Sequence, residues 1–144
     1  MFRSLLGIIA AGAILTAPMS SGAASNPFIG TWQASAVVPG AGGMKMAVTI
    51  QIVFTPQGTY SELDRSYVGL TQETGNYLLM ANNILRLVVT NWSPKQQCIP
   101  PTGCVPIRKP TGSALQYKFT SATAFLAHDV TFGNGMTLTY HRVQ

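Results

Sequence analysis

Every second residue from Met44 to Phe54 is large and apolar, and this alternation constrains the fold more than any other feature of the sequence. Lysine, threonine and glutamine are among the residues in between. An extended chain turns successive side chains to opposite faces, so a period of two collects the apolar set on one face. The pattern therefore predicts a β-strand with one buried face.

Similar segments follow along the rest of the chain. The alternation recurs in Leu115–Thr120 and Met136–His141, and the remaining strand candidates are Thr31–Val38, Thr59–Arg65, Tyr67–Leu70, Gly75–Ala81, Ile84–Trp92 and Ala124–Phe132. Turn-forming residues separate them, notably at Glu73-Thr74-Gly75, Asn82-Asn83 and Gly133-Asn134-Gly135. Short strands at this spacing predict an all-β domain. Connections by hairpins favour an antiparallel up-and-down barrel of about eight strands over a Greek-key sandwich.

The first residues have the features of an export signal. A basic start at Arg3 precedes the apolar run Leu5–Ala17, and small residues follow, with Gly22 and Ala24 at suitable positions for signal peptidase. The apolar run is shorter than the ~20 residues that span a bilayer. We therefore predict a signal peptide over 1–24 and one exported domain over 25–144, periplasmic or secreted, with no stable membrane anchor.

The two cysteines, Cys98 and Cys104, lie in a long proline-rich connection, Ser93–Gly112. In an oxidising compartment an even pair predicts a disulfide. Connections of this length are often functional. The stapled loop is either a preorganised contact surface for a partner or a cover over one barrel end.

Composition and motifs exclude several function classes. Charged residues make up 9% of the chain, the formal net charge is +5, and there are two histidines. Too few ligands exist for a structural zinc site, so we predict no metal and no cofactor. No nucleophile elbow, phosphate-binding glycine loop or dinucleotide fingerprint is present, so we predict no enzymatic activity and no catalytic residue. Nucleic acid is not an expected partner of an exported chain with so few charges.

One carboxyl pair is a possible exception. Glu62 and Asp64 are two residues apart and share a strand face with Tyr60. Paired carboxylates support acid–base chemistry when they are buried together. We interpret this pair as solvated surface charge. If the face lines the barrel instead, the two groups become a polar feature of a pocket.

Four segments together resemble the small bacterial lipocalin-like (calycin) exported domains. They are Phe28-Ile29-Gly30-Thr31-Trp32, Phe54–Tyr60, the pair Thr74–Tyr77 and Asn83–Leu87, and Leu138–Val143, which has the pattern L-x-Y-x-R-V. The resemblance implies that Trp32 closes one barrel end and that Arg142 packs across it. It also implies binding rather than catalysis.

These observations predict an exported lipocalin-like protein that binds a small apolar ligand. The expected binding residues face the barrel interior and are Met44, Met46, Val48, Ile50, Tyr117, Phe119, Met136, Leu138 and Tyr140. The alternative is a protein-interaction module, such as a hydrolase inhibitor. It would contact a protein partner through the loop 93–112 or through the mature N-terminus, Ser25–Phe28.

Overall fold

The computed structural model describes residues 25–39, 43–67, 69–99, 101–131 and 135–144, so the expected signal peptide lies outside the described residues. The strands are β1 (Gly30–Pro39), β2 (Lys45–Phe54), β3 (Thr59–Ser66), β4 (Gly69–Met80), β5 (Ile84–Ser93), β6 (Gln96–Ile99), β7 (Gly103–Pro106), β8 (Ser113–Ser121), β9 (Ala124–Asp129) and β10 (Thr137–Arg142), with a 3-10 turn at Ala81–Asn83. Eight of them close into an antiparallel barrel in the order β1-β10-β9-β8-β5-β4-β3-β2. The predicted all-β barrel is confirmed.

The barrel is built almost entirely from hairpins between consecutive strands. The exception is β5, which pairs with β8 because β6 and β7 form a separate two-stranded ribbon between them. Cys98 lies directly opposite Cys104 in that ribbon, and the two form a disulfide. The predicted disulfide is therefore confirmed, and it lies outside the barrel ladder.

Strand β4 differs from the sequence prediction. Tyr67–Leu70 and Gly75–Ala81 were expected to be separate strands with a turn at Glu73-Thr74-Gly75, but one strand runs from Gly69 to Met80. The register against β5 shifts between Thr74 and Gly75, as in a β-bulge. A Cβ on Gly75 would overlap the Val88 carbonyl oxygen. This glycine therefore allows a close approach of two backbones and does not end the strand.

The residues before β1 fill one end of the barrel. Phe28 is fully buried, and its ring lies 4.7–5.5 Å from the rings of four barrel aromatics, which are Phe54, Tyr117, Phe119 and Phe125. The Trp32 indole Nε1 donates a 2.6 Å hydrogen bond to the Phe28 carbonyl oxygen. We call this group of aromatic rings, with Trp32, the aromatic plug. Because Phe28 is part of it, this residue is not accessible to a protein partner.

Arg142 joins the two ends of the chain. Its Cα is the register partner of Trp32 across β1 and β10, and its guanidinium carbon lies 4.3 Å from the indole ring centroid. Its two terminal nitrogens donate 2.8 Å hydrogen bonds to the carbonyl oxygens of Ile29 and Pro27. The predicted contact between Arg142 and Trp32 is therefore present, and it also holds the plug in place.

Gly30 is required beside this contact. Its φ of +124° lies in a region that other residues rarely adopt, and a Cβ there would lie 2.7 Å from Arg142 Nη1. Gly30 thus leaves room for the Arg142 guanidinium, and Trp32, two residues further along β1, supplies the aromatic ring that the guanidinium contacts.

We expect Arg142→Gln to lower the free energy of unfolding by about 2–4 kcal/mol, because it removes two hydrogen bonds from a charged donor and the contact with the indole. Arg142→Lys should keep less than half of the stability that Arg142→Gln loses, since an ammonium cannot reproduce the planar contact of the guanidinium with two carbonyl groups. Urea unfolding measures both. The exposed Arg65 is the control, and Arg65→Gln should change the value by less than about 0.5 kcal/mol. Equal losses at the two positions would contradict this role of Arg142.

Candidate functional site

The barrel interior is hollow at the end opposite the aromatic plug. A cavity of about 200 Å³ is lined by side chains from seven of the eight barrel strands. The plug uses the start of β1 and the end of β2, whereas the cavity uses Ala36 and Val38 from later in β1 and Val48 and Ile50 from earlier in β2. One half of the barrel is thus packed and the other is open to a small molecule.

The predicted binding residues divide between the two halves. Val48, Ile50, Met136, Leu138 and Tyr140 line the cavity, and Met46 lines an adjoining cleft that shares Val48. Tyr117 and Phe119 instead contact Phe28 and belong to the plug, because β8 runs from the open half toward the closed end.

Met44 does not lie in the interior. It precedes Lys45, the first residue of β2, and is 60% exposed. The alternation of the sequence continues one step beyond Lys45, whose pairing with Pro39 is the last in the described ladder of β1 and β2. Among the described residues no strand therefore lies opposite Met44.

All four acidic residues of the sequence face the barrel interior. Glu62 and Asp129 line the cavity, and Asp64 lines the adjoining cleft of about 350 Å³. Glu73 lies directly opposite Glu62 in the register of β3 and β4, so its side chain is on the same face. The interpretation of Glu62 and Asp64 as solvated surface charge was wrong. Their face continues that of Tyr60, which is 3% exposed inside the barrel.

Burial controls the protonation of these carboxyls. It raises the pKa of Glu62 to about 8, with further contributions from Asp64 and Glu73. It also raises the pKa of Asp64 to about 6, and burial and the charge of Asp64 raise the pKa of Glu73. No cationic side chain of the described residues lowers any of the three pKa values. We call Glu62, Asp64 and Glu73 the carboxyl cluster.

Polar atoms without partners lie around the carboxyl cluster. Within the described part of the chain, Tyr60 Oη, Asp64 Oδ1 and Trp92 Nε1 are buried and have no hydrogen-bond partner. Tyr60 shares the inner face of β3 with Glu62, and burial and then the charges of Glu73 and Glu62 raise the pKa of its hydroxyl. Trp92 is the register partner of Glu73 on β5. A buried polar group without a partner costs about 1–3 kcal/mol, so this arrangement does not serve stability.

Part of the long loop contributes to the same end of the barrel. Pro94, Gln97 and Ile107 form one wall of the cleft that contains Asp64. The ribbon itself projects outward, and Val105 is 54% exposed. The base of the loop therefore covers part of a barrel end, which was one of the two expected roles.

Sequence reasoning missed two of the acidic residues. Glu73 was placed in a turn, and only the continuous strand β4 puts it on the inner face with Tyr77. Asp129 was read as part of a longer strand, whereas it ends β9, and its Oδ1 accepts a 2.8 Å hydrogen bond from the Thr131 amide. On a continuous strand over Gly69–Met80, the period of two places Glu73 on the same face as the buried Tyr77.

Comparisons with known proteins name no family: no family model matches the sequence, and no curated protein is significantly similar to it. Within the described ranges, no three His, Cys, Asp or Glu residues are grouped so that they could hold a metal ion. None of the helices there has the length and apolar character needed to cross a membrane.

The raised pKa of Glu62 makes stability depend on pH. Between its ordinary value of 4.5 and about 8, the folded state keeps a proton that the unfolded state releases. The free energy of unfolding should therefore fall as pH rises through this range, by up to about 1.4 kcal/mol per pH unit for one group. Glu62→Gln should reduce this decline and raise the melting temperature at pH 8 more than at pH 4.

Thermal unfolding from pH 4 to pH 9 measures the effect. Ser61→Ala is the control, because Ser61 is adjacent to Glu62 but on the opposite face of β3. Its pH dependence should match that of the wild type. A wild-type protein that is more stable at pH 8 than at pH 5 would contradict the burial of these carboxyls.

Proposed function

We propose that the chain is an exported, lipocalin-like binding protein that holds one small, mostly apolar ligand in the open half of its barrel. The observation that carries the proposal is the division of the interior. One half is filled by the aromatic plug, and the other half keeps a cavity of about 200 Å³. A barrel of eight strands has room for its own side chains or for one small ligand.

The size and wall of the cavity define the class of ligand. Apolar side chains from three separate strands, Ile50, Leu115 and Leu138, supply contact surface. An apolar cavity of about 150 Å³ is large enough to bind benzene. Pockets for drug-sized ligands begin at about 300 Å³. The expected ligand is therefore about the size of one aromatic ring with a short substituent.

Features of the sequence and of the structure support export and binding. The residues at 1–24 resemble a signal peptide, and the disulfide between Cys98 and Cys104 suits an oxidising compartment. The resemblance to lipocalin-like domains suggests a binding role. The sequence contains no nucleophile or phosphate-binding motif that would point to catalysis instead.

A cavity-filling variant tests the proposal. We expect the wild type to bind small neutral aromatics such as toluene or 2-phenylethanol in ligand-observed NMR. Leu138→Trp should weaken this binding at least tenfold, because the new ring occupies the cavity. Thr139→Trp adds the same ring to the exposed outer face of β10 and should leave binding unchanged.

Ala36→Leu adds a smaller group to the cavity wall and serves if Leu138→Trp does not fold. Circular dichroism and thermal unfolding establish that each variant is folded. Binding that is equally strong in the cavity variants and in Thr139→Trp would place the probe outside the barrel and overturn the proposal.

A further inference from the structure

Acidic and basic side chains are segregated between the inside and the outside of the barrel. All four acidic residues face inward, as described above. The exposed cations of the described chain are Lys45, Arg65, Arg86, Lys95, Arg108, Lys109 and Lys118. Surface ion pairs would need acids on the outer face, where none lies. Negative charge is therefore concentrated on the inner face, where the carboxyls are partly buried and their charged forms are disfavoured.

The carboxyl cluster reaches the ligand cavity through Glu62 and the adjoining cleft through Asp64. Glu62 lines the cavity itself, and Glu73 is its direct cross-strand partner, at a separation of about 5 Å between Cβ atoms. Asp64 is one step further along the same face and is the register partner of Ile50, which also lines the cavity. Like charges placed opposite each other destabilise a sheet. The Lys95 ammonium lies 3.3 Å from the ring centroid of Trp92, the register partner of Glu73, but it donates its hydrogen bond to Asn91 Oδ1. Among the described residues it forms no ion pair with the cluster.

A second feature, buried polar atoms that have no partner, points to a ligand at the same place. Tyr60 is 3% exposed, and its hydroxyl has no hydrogen-bond partner among the described residues. It lies two residues from Glu62 on the same inner face of β3, where burial and then the charges of Glu73 and Glu62 raise its pKa. Asp64 Oδ1 is a buried acceptor without a donor. An ammonium group has three donors and no acceptor. It therefore matches a site made of carboxylate oxygens and a phenolic oxygen.

We propose that the ligand is a small amphipathic amine, with its ammonium group between Glu62 and Asp64 and its apolar part against Ile50, Leu115 and Leu138. This inference rests on the proposed binding function and adds the charge of the ligand to it. The apolar wall leaves few oxygen ligands for a bare metal ion, whereas a ring or short chain on the amine covers it.

The proposal includes a dependence on pH. The titratable groups that face the ammonium position are Tyr60, Glu62 and Asp64 of β3, Glu73 of β4, Asp129 of β9 and Tyr140 of β10. The described residues of β1, β2, β5 and β8 add no charged side chain to this half of the interior. Affinity rises from pH 5 to pH 8 as Glu62 and Asp64 ionise. Binding near pH 7 releases protons, because the ammonium favours the ionised carboxyls.

Three probes of nearly the same shape test the charge of the ligand. They are 2-phenylethylamine, which is a cation at pH 8, neutral 2-phenylethanol and anionic phenylacetate, each titrated into the full mature protein by calorimetry. We expect the amine to bind at least tenfold more tightly than the alcohol, and phenylacetate more weakly than either. Proton release, measured by repeating the amine titration in buffers of different ionisation enthalpy, should accompany binding of the amine only.

The double variant Glu62→Gln and Asp64→Asn removes the charge and keeps the shape. Amine affinity should fall to that of the alcohol, while alcohol affinity stays within about twofold of the wild type. The variant should fold, because it removes buried charges that have no partner. Ser61→Ala is the matched control on the outer face of β3 and should retain the preference for the amine.

The outcomes separate this inference from the proposed function. If the alcohol and the amine bind with equal affinity, the inference is overturned and the binding function stands. If no probe binds the wild type, both are overturned. If the amine preference persists in the double variant, the ammonium is held elsewhere and the assignment to the carboxyl cluster is wrong.

Discussion

The structure depends above all on the junction of the first and last strands, where Arg142 lies across Trp32. A barrel closes only when β1 pairs with β10, and closure removes the unpaired edges that an open sheet would expose. The same guanidinium holds the carbonyl groups of Ile29 and Pro27, which places Phe28 inside the barrel. The backbone pairing at this junction therefore closes the sheet, and the side chain of Arg142 sets the position of the aromatic plug. Because the plug occupies one end, any ligand is confined to the other.

The sequence predicted the strands and turns whose structure depends mainly on neighbouring residues. The alternation of β2 identified the buried Ile52 and Phe54, and Asn82 and Asn83 adopt the positive φ angles expected of the turn between β4 and β5. Gly75 was misread because a turn and a bulge require the same residue type. Only the partner strand distinguishes them, since the restriction arises from the Val88 carbonyl on β5.

The orientation of the carboxyl cluster was harder to predict for a different reason. The predicted strand Thr59–Arg65 has polar and apolar side chains on both faces, because Leu63 lies on the face opposite to that of Glu62 and Asp64. General experience places carboxylates in solvent, and here that expectation was wrong. Tertiary contacts decided the outcome: Tyr60 packs into the core, and the period of two then carries the acids inward with it. Exceptions of this kind to burial rules are where functional sites are expected.

The acidic interior makes the stability of the protein depend on the protonation of its carboxyls. Without a cation, Glu62 is held partly protonated by burial and by its neighbours, so the free protein is less stable at neutral pH than an apolar equivalent would be. The cationic ligand proposed above would remove that penalty and stabilise the folded state in proportion to its occupancy. The rigid half of the barrel, with its aromatic plug and its Arg142 junction, supplies the stability that the open half lacks. Because the interior is divided in this way, the packing of one half offsets the energetic cost of the partly buried carboxyls in the other half.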